Sequence, residues 1–205
     1  VTIQERKDDL LSLAKNALDF QMEAPNTSLS LMRWMQYLAP YYAFLYLLCR
    51  QEKPGLMVEI GTECGMGCIN MALGNPDGHV TTIDLHDMHD LIEGYSFFED
   101  IHNIEMRIGD SLKEHSDFKD GEIDLLFIDG DHRYEYARQD YELWYPKVKP
   151  GGLILLDDTQ LSEDMERFWE EIKEPKLDLS FIRQKDPHHP GRGSGFGVVF
   201  KQEEL

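Results

Sequence analysis

The sequence predicts an α/β protein: a doubly wound, mostly parallel seven-stranded sheet with helices on both faces and a helical extension at the N-terminus. Two observations predict it. From residue 54 onward, short and nearly continuous apolar segments alternate with amphipathic ones, as strands buried on both faces alternate with crossover helices. Before that point the apolar residues recur at helical spacing instead. The 205 residues suit one domain, and a hydrophobic content of 41% is enough to build its core.

Taken in order, Leu10, Leu11, Leu13, Ala14, Ala17 and Leu18 make an amphipathic helical stripe. A turn at Ala24-Pro25-Asn26-Thr27 leads to a second helical region, residues 28–51, in which Pro40 marks a kink or break. Its large side chains, among them Trp34, Tyr37, Tyr41, Tyr42 and Phe44, read as packing against the sheet, or as a wall of a substrate pocket or a dimer interface. Strands follow at residues 56–60, 80–84, 104–108, 123–128 and 153–156, and helices at 68–73, 134–145 and 161–173. Two last strands, 177–182 and 197–200, are expected to pair.

Composition narrows the function. Acidic residues outnumber basic ones 39 to 20, a net charge of -19 that argues against binding nucleic acid or anionic membranes. No apolar run reaches the ~18–20 residues that span a bilayer, and the charged first ten residues do not resemble a signal peptide. A cytoplasmic protein is expected. Cys49, Cys64 and Cys68 lack the spacing of a zinc site and read as small fillers in a reducing compartment.

In parallel sheets ligands bind beyond the carboxyl ends of the strands, so the acids found there matter most. The first strand runs into Glu59-Ile60-Gly61-Thr62-Glu63-Cys64-Gly65-Met66-Gly67, a turn in which absent side chains let a ligand approach the backbone. Its spacing is not the Gly-x-Gly-x2-Gly of dinucleotide enzymes, which makes a nicotinamide dehydrogenase a poor reading. Asp84 ends the second strand 23 residues after Gly61, close to the ~20 expected of an acid that grips a ribose; a helix cap is the plainer alternative. Gly109-Asp110-Ser111 follows the third strand and also reads as a helix cap. Asp129-Gly130-Asp131-His132 crowds the end of the fourth, and Asp157-Asp158 the end of the fifth. Two adjacent carboxylates repel unless something positive lies between them, and Mg2+ is the natural hard cation for oxygen ligands. His188 and His189, in a Gly/His/Pro-rich segment, are weaker metal candidates.

The turn from Glu59 to Gly65 resembles the first motif of class I S-adenosylmethionine-dependent methyltransferases, especially the catechol O-methyltransferase-like enzymes. The string Ile128-Asp129-Gly130-Asp131-His132-Arg133-Tyr134-Glu135 is similar to a signature of the cephalosporin hydroxylase-like and sugar O-methyltransferases. Lys149-Pro150-Gly151-Gly152 before the fifth strand is also typical of the class. The resemblance covers about residues 55–200 and implies a Rossmann-like S-adenosylmethionine-binding domain over residues 54–205; residues 1–53, outside the resemblance, are expected to form a helical extension that serves as a substrate lid or oligomer contact. It implies that Glu59, Gly61, Thr62 and Gly65 wrap the methionine part of the cofactor, that Asp84 holds the ribose, that Asp110 and Ser111 face the adenine, and that Asp129 borders the cofactor. It further implies Mg2+ on Asp129, Asp157 and Asp158, assisting methylation of a hydroxyl on a small-molecule acceptor. Where the catechol enzymes place a lysine base, three residues after the first metal acid, this sequence has His132; Asp131 is the other candidate base. Metal-independent transfer, and a catalytically silent cofactor-binding scaffold whose N-terminal helices engage a partner, are the alternatives. A homodimer is expected from the apolar helical region.

Overall fold

The computed structural model describes residues 1–20, 39–87, 101–183 and 194–202. Helix α1 (Ile3–Asp19) opens on a capping box, in which Thr2 Oγ1 accepts from Glu5 N while the Glu5 carboxylate accepts from Thr2 N. It buries Leu10, Leu13, Ala14 and Ala17. Leu18, expected on the same stripe, is 43% exposed; at 3.6 residues per turn it falls roughly 90° round the helix from the stripe's centre. Helix α2 (Pro40–Glu52) starts at Pro40. The proline expected to kink a longer helix therefore occupies a first-turn position, where its missing N–H leaves no bond unmade. The turn at residues 24–27, the helical stretch 28–38 with Trp34 and Tyr37, and His188 and His189 lie outside the described residues.

The alternating part follows as β1 (Leu56–Ile60), α3 (Met66–Gly74), β2 (His79–Asp84), β3 (Ile104–Ile108), α4 (Ser111–Glu114), β4 (Ile123–Ile128), α5 (Tyr134–Trp144), β5 (Val148–Asp157), α6 (Glu163–Glu171), β6 (Lys176–Asp178) and β7 (Phe196–Phe200). They form a seven-stranded sheet in the order β3-β2-β1-β4-β5-β7-β6, parallel except for β7, which runs antiparallel to both its neighbours. Helix α6 starts two residues later than expected because Ser162 is its cap, accepting from Met165 N at 3.2 Å. The last strand pair also differs. Residues 177–182 do not form one strand, because Asp178 accepts from Ser180 N at 2.7 Å and turns the chain into a 3-10 turn, Ser180–Ile182.

The two-residue period of the strands sorts their side chains into two cores. Met57, Leu125, Phe127, Leu153, Leu155, Phe196 and Val198 meet α1, α2 and α3 on one face. Val58, Ile60, Leu126, Ile128, Ile154, Leu156 and Val199 meet α5 and α6 on the other. Helices α1 and α2 share the first of these cores with the sheet. No helix among the described residues is long and apolar enough to cross a membrane.

Candidate active site

The strand order reverses between β1 and β4, and a crevice opens there above the carboxyl ends of the strands. A cavity of about 1100 Å³ fills it. Single-ligand pockets reach ~1000 Å³, so there is room for two small molecules side by side. A hollow of about 140 Å³ near the other end of β5, against Arg6, Glu52 and Lys149, is too small for either.

The turn after β1 builds one wall. Gly61 N donates to Ile83 O and Asp129 N to Ile60 O, which ties β1 to both neighbours just below the cavity. Gly61 has φ 93, and a Cβ there would overlap the carbonyl oxygen of Asp129. Only glycine fits that position. Gly61, Glu63 and Cys64 of this turn line the cavity, and Glu59, Thr62 and Gly65 stand behind them. Gly65 caps α3 in a left-handed conformation. Glu59 shares the Met57 face of β1, so its side chain points under the turn. Thr82 Oγ1 donates to Glu59 Oε2 at 2.5 Å, and the Thr62 and Thr82 hydroxyls lie 2.8 Å apart. Burial raises the Glu59 carboxyl to about 8, with Asp129 adding to it and Thr82 opposing. Glu59 is thus a brace for the turn.

Asp84 lines the cavity, and its Oδ2 accepts from Thr62 N and Glu63 N at 3.0 and 3.2 Å while Oδ1 accepts from His86 N at 3.0 Å. These bonds aim the carboxylate and leave Oδ1 able to accept once more, as a ribose grip needs. Asp110 caps α4 through Leu112 N at 3.1 Å, so the capping and cavity-lining roles coexist. Ser111 donates to Asp140 Oδ1 at 2.6 Å. Asp140, which carried no motif in the sequence, reaches the cavity from α5, and burial raises its carboxyl to about 6.

The opposite end of the cavity gathers the remaining acids. His132 Nε2 stands 3.5 Å from both Asp129 Oδ1 and Asp158 Oδ2, close enough for charge attraction but too long for a well-formed hydrogen bond. Arg183 Nη2 donates to Asp158 Oδ1 at 2.8 Å. It also ion-pairs with Asp157 Oδ2 at 2.7 Å, without hydrogen-bond geometry. The result is one chain of alternating charge, Asp129, His132, Asp158, Arg183, Asp157. Asp158 adopts φ 55, a left-handed conformation that non-glycine residues hold only under strain. Successive residues of a strand point to opposite faces, and this twist is what lets two neighbouring carboxylates converge on one guanidinium. Tyr41 of α2 supports that guanidinium from below, its ring 4.3 Å away.

Buried polar atoms without hydrogen-bond partners concentrate here: His132 Nε2, Asp157 Oδ1 and Oδ2, and Arg183 Nε. Asp157 is 1% exposed, and burial, then Asp129, pushes its carboxyl well up while Arg183 opposes. For His132 burial opposes protonation, but Asp129 and Asp158 outweigh it and hold the imidazole above its ordinary range. Asp131, the other candidate base, is turned to Arg133, whose N and Nε donate to its Oδ1 at 3.0 and 2.9 Å. That pairing lowers its carboxyl and makes it a poor base. The expected Mg2+ on Asp129, Asp157 and Asp158 does not fit the arrangement. Arg183 fills the gap between the paired acids, and no group of three or more His, Cys, Asp or Glu side chains among the described residues converges to hold an ion. Sequence reasoning missed Arg183, which stands 25 residues from Asp158 in a segment without a motif.

The glycine turn, the Asp84 carboxylate and the cavity thus lie together where the strand order reverses. A family model described as a methyltransferase domain matches residues 58–159. The uncharacterized protein y4gI of Sinorhizobium fredii is 27% identical over 170 residues, 75% of this chain and 18% of that protein. The chain thus spans less than a fifth of the length of the curated relatives it matches. Among solved structures, the O-methyltransferase TomG from Streptomyces achromogenes, in complex with SAM, superposes with a TM-score of 0.68 at 18% identity, covering 99% of this chain and 100% of that one. The O-methyltransferase from Bacillus cereus, in complex with SAH, gives 0.60 at 20% identity, covering 98% and 93%. A sheet that reverses its order at β1 and β4 beneath a glycine turn is the frame these proteins share, and residues 58–159 of the chain carry a methyltransferase domain.

Proposed function

We propose that this methyltransferase modifies a hydroxyl of a small acceptor, with His132 as the base that takes the hydroxyl proton. The observation that carries this reading is the group of orphaned polar atoms on His132, Asp157 and Arg183, buried at the end of the cavity away from Asp84 and Asp110. Buried donors and acceptors left unpaired are costly, and a hydroxylated ligand satisfies both kinds at once. S-adenosylmethionine, when bound, supplies a sulfonium methyl group to an attacking oxygen. The chain's own residues do the rest. Gly61 admits the cofactor close to the backbone, Asp84 orients it, and Asp110 with Ser111 closes the adenine end. His132 faces the acceptor with Asp129 on one side and Asp158 on the other. Taking the acceptor's proton turns the imidazole into a cation between two carboxylates, which is why its affinity for that proton is raised. Tyr41 and Tyr42 of α2 wall the acceptor side, where burial keeps both phenols protonated.

The test pairs calorimetry with turnover. S-adenosylmethionine should bind with micromolar affinity, and a panel of hydroxylated small molecules should yield S-adenosylhomocysteine with at least one member. On that acceptor H132N should lose about 100-fold in kcat, while D131N keeps most of it. Absence of S-adenosylmethionine binding defeats the proposal, as does full activity of H132N. A divalent ion held by Asp129, Asp157 and Asp158 is the second reading. It is favoured by the two Asp157 oxygens, which have no hydrogen-bond donor, and it requires Arg183 to leave its place.

A further inference from the structure

We infer that Arg183 is the resident cation of the acceptor site, taking the place between Asp157 and Asp158 that a divalent ion would need and thereby excluding one. The inference rests on reading the cluster as the acceptor site of the proposed reaction. Three observations carry it. Arg183 Nη2 touches Asp157 Oδ2 and Asp158 Oδ1 at 2.7 and 2.8 Å, bridging the paired acids by a single nitrogen. An ion bound to the same two oxygens at ~2.1 Å, on the side that the guanidinium occupies, would overlap that nitrogen, and two like charges so close repel strongly in a site shielded from water. The guanidinium is braced on its other side by the Tyr41 ring, 4.3 Å away, so its position is built in. Asp158 adopts its strained left-handed conformation at φ 55 and so reaches the same nitrogen.

In this arrangement Arg183 does two things for methyl transfer. It fixes the acid pair, and through Asp158 it fixes the second carboxylate beside His132, so it is a positioning residue for the base. It also leaves its Nε–H buried without a hydrogen-bond partner. A lysine can replace the charge, whereas a glutamine removes it and leaves the acids to find another cation.

Binding of Mn2+ to the full chain, followed by loss of the free-ion electron paramagnetic resonance signal, tests this without any acceptor. The wild-type protein should leave the signal undiminished. R183Q should bind Mn2+ at least about tenfold more tightly than wild type, R183K should behave as wild type, and R183Q/D157N should lose the gained site. Wild-type protein that binds Mn2+ as tightly as R183Q overturns the inference, and so does R183Q that gains nothing while its melting temperature and S-adenosylmethionine affinity match wild type. Should R183Q fail to fold, wild type and D157N still decide: a wild-type Mn2+ site abolished by D157N overturns the inference, and no wild-type site together with none in R183K upholds it. Calorimetry with S-adenosylmethionine on the same samples reports separately on the proposed function, so that reading and this one fail by different measurements.

Discussion

Glu59 allows a direct test of how the turn is held. Its carboxyl is fully buried and rises from an ordinary value of 4.5 to about 8, burial being the main cause. The folded protein therefore keeps a proton that the unfolded chain releases near pH 4.5. Stability is unaffected by this group below pH 4.5, falls as pH rises toward 8, and stays at its reduced level above that. At 1.36 kcal/mol for each pH unit, the loss is about 5 kcal/mol, a large share of an ordinary domain's stability. E59Q removes the titration, while its amide oxygen still accepts from Thr82. Urea unfolding followed by tryptophan fluorescence at pH 5, 7 and 9 gives the difference between the two proteins, in which the titrations of groups not coupled to Glu59 cancel. E59Q should match wild type near pH 5 and exceed it by several kcal/mol at pH 9. A difference that does not change with pH would refute the argument, because it would mean that Glu59 is ionised when folded or already exposed.

Further expectations follow from the same geometry. G61A places a Cβ against the Asp129 carbonyl at a left-handed position and should cost at least about 2 kcal/mol and abolish S-adenosylmethionine binding. G151A has the same kind of backbone, φ 78, with open space around it, and should cost only about 1 kcal/mol in thermal unfolding and leave binding intact. Proton-carbon NMR titration should find His132 above its ordinary 6.5 and D129N should bring it down; the stability that this histidine contributes is present below pH 6.5 and disappears as pH rises through the folded value. S111A removes the hydrogen bond that lowers Asp140 and should move that carboxyl above its present value of about 6, read from its own NMR titration.

What the sequence revealed follows the reach of local rules. Strand positions and the two-faced sheet were legible because buried parallel strands leave nearly unbroken apolar runs, and the turn after β1 because only glycine tolerates its backbone. Asp84, Asp110, Asp129, His132, Asp157 and Asp158 were legible as strand-end residues, and all of them line one cavity. The directions of side chains were not. Glu59 is two residues from Gly61, and the period of the strand sends it under the turn rather than into the cavity. Asp131 lines the cavity beside His132, yet its carboxylate is taken up by Arg133. Arg183 and Asp140 meet the site only through tertiary packing, from the end of a 3-10 turn and from the middle of α5, and nothing in their neighbours marks them. The strain at Asp158 leaves no trace in residue identity, since aspartate there reads equally as cap, ligand or loop.

Arg183 also changes what the acid pair says about the acceptor. Asp129, Asp157 and Asp158 bring three carboxylates to one end of the cavity, against one fixed guanidinium and one imidazole. Whether His132 is charged or not, and even with Asp157 protonated, that end is never net positive. The chain as a whole carries -19. A phosphorylated or carboxylated acceptor is thus opposed both on approach and on arrival. In the proposed reaction a neutral hydroxyl is not: it would give its hydrogen to His132 and keep a lone pair for the methyl group. If Arg183 leaves no room for a divalent ion, as proposed, the same residues favour an acceptor that needs no cation to be held.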